Sequence, residues 1–383
     1  AVMFFGWNKV SRGFHLASTW LTGLGATISA WWILVANAWM QHPVGMSFNP
    51  DTVRNEMVDF AAVALSPTAV VKFLHTVSSG WMTGAIFVIG VSCWFLLKQR
   101  NSQLALRSIK VAGVTGVIAT LVVLGTGDQS GVTMAREQPM KLAAAEGLQQ
   151  GGTKAPFSIV PGIEVPGMLS MLATHQYNGF VPGINDLLNG YVTPDGVRQP
   201  SADEKIARGH KAIQAFATYR AQRAVNASLA QQALDTLQQH QAYMGYGYLQ
   251  HKSELVPPVT LVYWAFRLMV GLGSLLFVLL LITAWMAKRG TLPQHRWLLW
   301  AGVWAVPMVY VAGQAGWVVA EVGRQPWAIQ DLLPVGVAVS QLPTANVMLT
   351  FALFVILFTL LLAAEVRIMC KAISSHQDDV VQC

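Results

Sequence analysis

Six apolar stretches, each of about the length that an α-helix needs to cross a bilayer, constrain the fold of this chain more than any other feature. About 20 helical residues span a hydrocarbon core. We therefore predict an all-α fold, a polytopic membrane helix bundle with about six complete transmembrane helices. The stretches cover residues 15–40, 68–97, 111–127, 259–286, 297–320 and 347–369.

The composition agrees with a membrane protein and excludes an ordinary soluble enzyme. Of the 383 residues, 54% are hydrophobic and only 11% are charged, whereas soluble domains carry about 25% charged residues. The three cysteines show no C-x-x-C spacing, so neither a disulfide framework nor a zinc site is indicated. The net charge of +7 does not indicate nucleic-acid binding, because its location fits membrane topology better.

Basic residues concentrate in alternate connections between the apolar stretches. Such connections lie on the cytoplasmic side of a membrane protein. Segments 41–67, 128–258 and 321–346 are then extracytoplasmic. The basic residues that set this orientation are Lys9, Arg12, Lys98, Arg100, Arg107, Lys110, Lys288, Arg289, Arg296, Arg367 and Lys371.

Residues 128–258 differ from the rest of the chain because they are polar and rich in glutamine. Ser201 and Glu204 have capping-box spacing before a helical run that reaches about His240. We expect a large, partly helical extracytoplasmic loop subdomain, with an inert exposed loop as the alternative. The chain then divides into 1–127, 128–258 and 259–383.

Two metal-ligand side chains lie inside apolar stretches. His75 lies about eight residues from the outer end of its stretch, or about 12 Å deep, and Met269 about eleven residues past Pro258, or about 16 Å. Ionisable or ligating residues at membrane depth usually mark function, although each alone is more often a packing residue. At matched depth the two could close on one haem iron, as imidazole and thioether do in electron-transfer haems.

Glu321 and Arg324 lie three residues apart at the outer end of the fifth stretch, on one helix face. They could pair with each other, or Glu321 could ligate a second iron while Arg324 holds haem propionates. Arg267 is long enough to reach a propionate. Trp317, one turn before Glu321, is as easily a packing residue as a haem neighbour.

Lys141 and Glu146 follow closely after the third stretch. By themselves they would be charges on a surface helix. Beside a haem on the same membrane face, they could bind a quinol head group and accept its protons.

These residues stand in strings that resemble subunit I of cytochrome bd quinol oxidase, and the resemblance covers the whole chain. Several such strings in order are specific where one alone is not. The strings are Phe4-Phe-Gly-Trp7, Ala30-Trp-Trp-Ile-Leu-Val-Ala-Asn37, Lys72-Phe-Leu-His-Thr-Val77, Gly127-Asp-Gln-Ser-Gly131, Lys141-Leu-Ala-Ala-Ala-Glu146, Phe266-Arg-Leu-Met269 and Gly323-Arg-Gln-Pro-Trp327.

The resemblance implies a role for each candidate residue. His75 and Met269 would be the axial ligands of a low-spin haem b, with Arg267 close by. Glu321 would ligate a high-spin haem b, and Arg324 would support the haem pair. Lys141 and Glu146 would be the quinol-site residues of the extracytoplasmic Q-loop, here of the long type.

The resemblance also implies the reaction and its setting. Electrons would pass from quinol through the two haems b to haem d, where O2 becomes water, and a membrane potential would result. The partners would be a homologous subunit II, small accessory membrane subunits and the lipid bilayer. The location would be the bacterial cytoplasmic (inner) membrane, with the Q-loop on the periplasmic side.

The family carries further helices before the point where this chain starts, including the one with the haem d ligand. Ala1 to Gly6 lack the features of a signal peptide and look like the last turns of one more helix. We therefore expect an N-terminally truncated fragment, for which oxygen reduction would need the preceding segment. A non-catalytic b-type haem electron carrier is the alternative. A transporter would show internal symmetry, and none is evident.

Overall fold

A computed structural model describes residues 2–6 and 9–375. This part of the chain is mainly helical, and its ten short strands form five two-stranded antiparallel sheets. The α-helices are α1 (Val2–Phe5), α2 (Arg12–Gln41), α3 (Phe60–Ala64), α4 (Pro67–Leu97), α5 (Ser102–Glu137), α6 (Pro139–Glu146), α7 (Met168–Thr174), α8 (Ile184–Asn189), α9 (Ala202–Gln222), α10 (Ala227–His240), α11 (Val259–Arg289), α12 (Arg296–Val322) and α13 (Thr344–Ser375). The strands are β1 (Met46–Asn49), β2 (Arg54–Met57), β3 (Gly152–Thr153), β4 (Phe157–Val160), β5 (Ile163–Val165), β6 (Phe180–Val181), β7 (Tyr191–Val192), β8 (Arg198–Gln199), β9 (Trp327–Ile329) and β10 (Leu333–Pro334).

Six helical segments in the described residues are long and apolar enough to cross a membrane, which confirms the predicted fold class. Five contain the predicted stretches with only modest extensions. The third differs, because α5 extends well beyond the predicted 111–127 at both ends and has 36 residues. Its ends are polar, so hydropathy located only the part that fits a hydrocarbon core. At the predicted remnant, α1 covers Val2–Phe5, and Ala1 lies outside the described residues.

The chain divides into two compact units. The first unit contains residues 1–80, 119–271 and 312–337, and all eight candidate site residues belong to it. The second unit contains residues 81–118, 272–311 and 338–383. The division of the chain at 127 and 258 stays a functional prediction.

Helices of the second unit pack closely through small residues. A Cβ atom built on Gly90 of α4 would lie 2.3 Å from Val306 of α12, and one on Gly113 of α5 would lie 2.8 Å from the Cβ of Ala284 of α11. Small residues let the backbones of membrane helices approach each other. These two glycines therefore fix how α4 packs on α12 and how α5 packs on α11.

The long polar segment of the first unit is partly helical, as expected. Ser201 caps α9 in the predicted capping box: its Oγ accepts from the Glu204 amide at 3.2 Å, and its own amide donates to the Glu204 carboxylate at 2.8 Å. The helical run is interrupted between α9 and α10, where Asn226 caps the second helix. The two helices share a buried core of Ala212, Ala215 and Leu237.

Candidate functional site

The short helix α6 carries both predicted quinol-site residues, and both are buried rather than exposed. Lys141 and Glu146 are 4% and 6% exposed. Pro139 begins the helix, and Gly147 ends it in the left-handed conformation at φ 65°. The alanines of α6 pack against α11 and α12, which explains why the helix is buried. Charged groups held so deeply need partners.

Glu146 forms a buried ion pair with Arg267 of α11. One guanidinium nitrogen lies 2.7 Å from the carboxylate, another donates to the Ala145 carbonyl at 3.1 Å, and both charged side chains are almost inaccessible. The guanidinium also lies 4.3 Å from the centre of the Tyr263 ring. Burial raises the pKa of Glu146, and the charge and hydrogen bond of Arg267 oppose that rise. The sequence predicts a haem propionate as the partner of Arg267, and no pattern in it predicts this pair.

Lys141 donates three hydrogen bonds, as many as an ammonium group can. Its acceptors are Gln41 Oε1 at 2.9 Å, Gln138 Oε1 at 2.7 Å and the Ala320 carbonyl at 3.0 Å. Burial lowers the pKa of Lys141, and the positive charge of Lys72 lowers it further. The three acceptors favour the charged form, so the amide oxygens hold the ammonium in place.

Asn37 joins the remaining charges of the site into one network. Its amide nitrogen donates to Glu321 at 2.9 Å, and its oxygen accepts from Lys72 at 3.0 Å and from Gln41 at 3.1 Å. The hydrogen bonds therefore run from Lys141 through Gln41 and Asn37 to Glu321. Sequence reasoning assigned no role to Asn37, Gln41 or Lys72. The sequence feature that could have identified these three residues is a polar side chain in or beside an apolar stretch, which usually marks function.

Glu321 also pairs with Arg324 at 2.7 Å. This ion pair is one of the two alternatives that the three-residue spacing allows, and iron ligation by Glu321 is the other. The Glu321 side chain is about one-third exposed, whereas Arg324 is mostly buried. Ligation of a haem iron by Glu321 stays a prediction.

The His75 ring contacts a hydroxyl group of the neighbouring helix α5. Its Nδ1 lies 3.0 Å from the hydroxyl of Thr126 on α5, and that hydroxyl donates to the Val122 carbonyl at 2.7 Å. While the hydroxyl donates to that carbonyl it can accept from Nδ1–H, and in this tautomer the lone pair lies on Nε2. Sequence reasoning did not identify Thr126.

Met269 lies against a glycine of the neighbouring helix. A Cβ atom built on Gly316 of α12 would lie 3.0 Å from the Met269 sulfur. In the same way, one built on Gly127 of α5 would lie 3.5 Å from the His75 ring. A shared iron between His75 and Met269 stays a prediction, as does a haem contact of Trp317, which is 41% exposed.

The donor set fits haem better than a bare metal ion. No group of three or more His, Cys, Asp or Glu residues that could hold a metal occurs among the described residues. A single imidazole or thioether suits an iron that brings its own macrocycle. Arg267 and Arg324 each have a buried Nε without a hydrogen-bond partner, and such donors suit carboxylates like the haem propionates.

Comparisons with known proteins point to one protein family. The family model for cytochrome bd terminal oxidase subunit I matches residues 1–377. Cytochrome bd-II ubiquinol oxidase subunit 1 of Escherichia coli (strain K12) is 38% identical, over 97% of this chain and 74% of that protein. Cytochrome bd ubiquinol oxidase subunit 1 of Bacillus subtilis (strain 168) is 30% identical, over 90% of this chain and 64% of that protein.

A solved structure supports the fold. The bd oxidase from Geobacillus thermodenitrificans superposes with a TM-score of 0.72 at 21% identity, over 98% of this chain and 74% of that one. Its likeness bears on the fold alone, whereas the family match and the relatives in sequence bear on the kind of protein. On these grounds the chain belongs to the cytochrome bd terminal oxidase subunit I family, a family of membrane-bound quinol oxidases.

Proposed function

We propose that this chain oxidises quinol at the buried Glu146–Arg267 pair and delivers the electrons to a haem held by His75 and Met269. The observation that carries the proposal is the position of Arg267, which contacts the proton acceptor and lies two residues from Met269 on α11. Oxidation of a quinol releases protons together with electrons. A site for it must therefore place a base next to an electron acceptor.

Glu146 is suited to be that base. Burial raises its pKa towards the working pH, where general bases are most effective. Arg267 orients the carboxylate through a close charge-assisted hydrogen bond. Lys141 would bind a quinol oxygen by exchanging one of its amide acceptors for it.

The haem roles combine the family pattern with the chemistry of the individual residues. His75 and Met269 would hold the low-spin haem b, which supplies one-electron transfer when bound. Glu321 would ligate the high-spin haem b, Arg267 and Arg324 would hold propionates, and Trp317 would lie beside a haem. Oxygen reduction to water would take place at haem d.

The assembly and its orientation complete the proposal. The Q-loop would face the periplasm of a bacterial inner membrane, and turnover would generate a membrane potential. A homologous subunit II and small accessory membrane subunits would be the protein partners. Helix α13 offers an apolar surface for such contacts, since nearly all of its described residues are exposed.

The test is the Glu146→Gln variant of the assembled oxidase. Loss of the base should reduce quinol oxidation at least ~100-fold while the haem absorption spectra stay unchanged. Glu164→Gln is the matched control, because Glu164 is an exposed carboxylate of the same segment. Wild-type turnover of Glu146→Gln would refute the quinol site.

The absorption spectrum and oxygen uptake of the wild-type protein test the alternative function. Absence of both a far-red chlorin band and quinol-driven oxygen uptake would favour the electron carrier.

A further inference from the structure

The β4–β5 hairpin exposes an unusual amount of apolar side chain for an extracytoplasmic segment. Ile159, Val160, Ile163 and Val165 are 48%, 37%, 58% and 37% exposed. Glu164 is the one charged residue among residues 155–168. Exposed apolar patches of this kind mark sites of interaction with proteins or membranes.

The hairpin is fixed to the outer part of α11. Ser158 Oγ lies 2.7 Å from the Tyr263 hydroxyl, and the Phe157 ring centre lies 5.1 Å from the Arg267 guanidinium. Tyr263 lies four residues after the first residue of α11, which corresponds to about 6 Å along the helix. The hairpin therefore contacts a membrane-spanning helix close to its extracytoplasmic end.

This level of α11 has the character of a membrane interface. Trp264 packs edge-to-face on Tyr263 with ring centres 5.4 Å apart and is 50% exposed. Tyrosine and tryptophan concentrate where the bilayer meets water. Leu261 and Leu268 of the same helix are 52% and 46% exposed, as expected of side chains that face lipid. The Ser158–Tyr263 hydrogen bond places the hairpin at this level of α11.

We propose that the β4–β5 hairpin lies in the outer interfacial layer of the bilayer, where its apolar side chains contact lipid of the outer leaflet. The hairpin cannot enter the hydrocarbon core, because a two-stranded sheet has unpaired backbone groups along both edges. In the headgroup layer, water satisfies those groups while Ile159, Val160 and Ile163 reach the first methylenes. Glu164 stays within reach of water.

The test uses nitroxide spin labels on the assembled oxidase in phosphatidylethanolamine and phosphatidylglycerol vesicles. Labels are placed at Val160→Cys and Ile163→Cys, with Cys93, Cys370 and Cys383 replaced. Val197→Cys and Val225→Cys are the controls, because these exposed valines lie in other turns of the same segment. Power saturation compares collisions with oxygen, which concentrates in lipid, with those of a water-soluble nickel chelate.

The ratio of oxygen to nickel collisions should be several-fold higher at residues 160 and 163 than at the controls. A nickel collision rate at 163 equal to that at 225 would place the hairpin in water and overturn the proposal. Exclusion of both reagents would indicate a covering protein subunit and would also overturn it. Unchanged haem spectra and gel-filtration elution verify the folded state. The collision ratio does not depend on quinol turnover, so failure of this proposal can be distinguished from failure of the proposed function.

Discussion

At the scale of single residues, the pair of Glu146 and Arg267 is more deeply buried than the Glu321–Arg324 pair of the same site. Arg267→Met would leave a buried carboxylate without its counter-charge, which costs about 3–5 kcal/mol. Local stability of α6 should fall accordingly, as measured by hydrogen exchange of its amides. The double variant Arg267→Met with Glu146→Leu should lose less than the single one, because no buried charge remains.

An exposed ion pair serves as the control for this comparison of single and double variants. Arg198 and Glu204 also form a close pair, but the Arg198 side chain is 72% exposed. Arg198→Met should change local stability by no more than about 1 kcal/mol. Equal losses for the single and double variants of the buried pair would show that Glu146 does not depend on Arg267.

The raised pKa of Glu146 predicts how quinol oxidation depends on pH. A base acts only when it is deprotonated, so the rate should fall as pH drops through a value above the ordinary range of glutamate. Stability should change in the opposite sense. A carboxyl group whose pKa is raised by folding loses stability as pH rises from the unfolded value through the folded one.

Two measurements check these directions. The rate of quinol oxidation as a function of pH tests the first, and the free energy of unfolding as a function of pH tests the second. Glu146→Gln should remove the acid limb from residual quinol turnover, and Glu164→Gln should keep it. An acid limb that survives in Glu146→Gln would assign the proton acceptor elsewhere.

Sequence alone could single out these residues but not their partners. Lys141, Glu146, His75 and Met269 stood out as charged or ligating groups in family strings or apolar stretches. Glu146 and Arg267 lie 121 residues apart along the chain, so nothing in the spacing could pair them. Gln41 and Thr126 cannot be assigned roles from the sequence, because the polarity of an uncharged residue does not say which group it contacts.

At the scale of elements, the packing of α12 on α11 should control the position of Met269, the proposed haem ligand. Gly316→Ala would place a Cβ atom 3.0 Å from the Met269 sulfur, so the thioether must move by a few tenths of an ångström. We expect a shifted absorption band and reduction potential of the low-spin haem. Gly313→Ala is the matched control one turn earlier, where a Cβ atom meets nothing within 4 Å. Identical spectra for both variants would argue against ligation by Met269.

Hydropathy predicted the number of spanning helices but not the limits of α5. The polar ends of α5 remain helical, and Thr68 of α4 donates to Glu137 in its last turn at 2.8 Å. Tertiary contacts of this kind help to determine where a helix ends, and they cannot be predicted from the periodicity of the sequence.

At the scale of the whole molecule, the alternation of basic connections predicts which side each segment faces. In sealed right-side-out vesicles, Val225→Cys between α9 and α10 should react with a membrane-impermeant maleimide. Ser102→Cys, at the first residue of α5 and within the basic segment between the second and third apolar stretches, should react only after permeabilisation. Cys370 and Cys383 are replaced in both variants, and the reverse labelling pattern would invert the topology.

The hydrogen bonds of Asn37 allow only one orientation of its side-chain amide. Its oxygen faces two N–H donors, and its nitrogen faces a carboxylate. A 180° rotation of the amide would therefore place the NH2 group against the two donors and the oxygen against the carboxylate. Aspartate has the same size but lacks the nitrogen, and leucine offers neither atom. Replacement of Asn37 alone would therefore remove a hydrogen bond from each of Glu321, Lys72 and Gln41, so this one amide couples the rotation of α2, α4 and α12 about their axes.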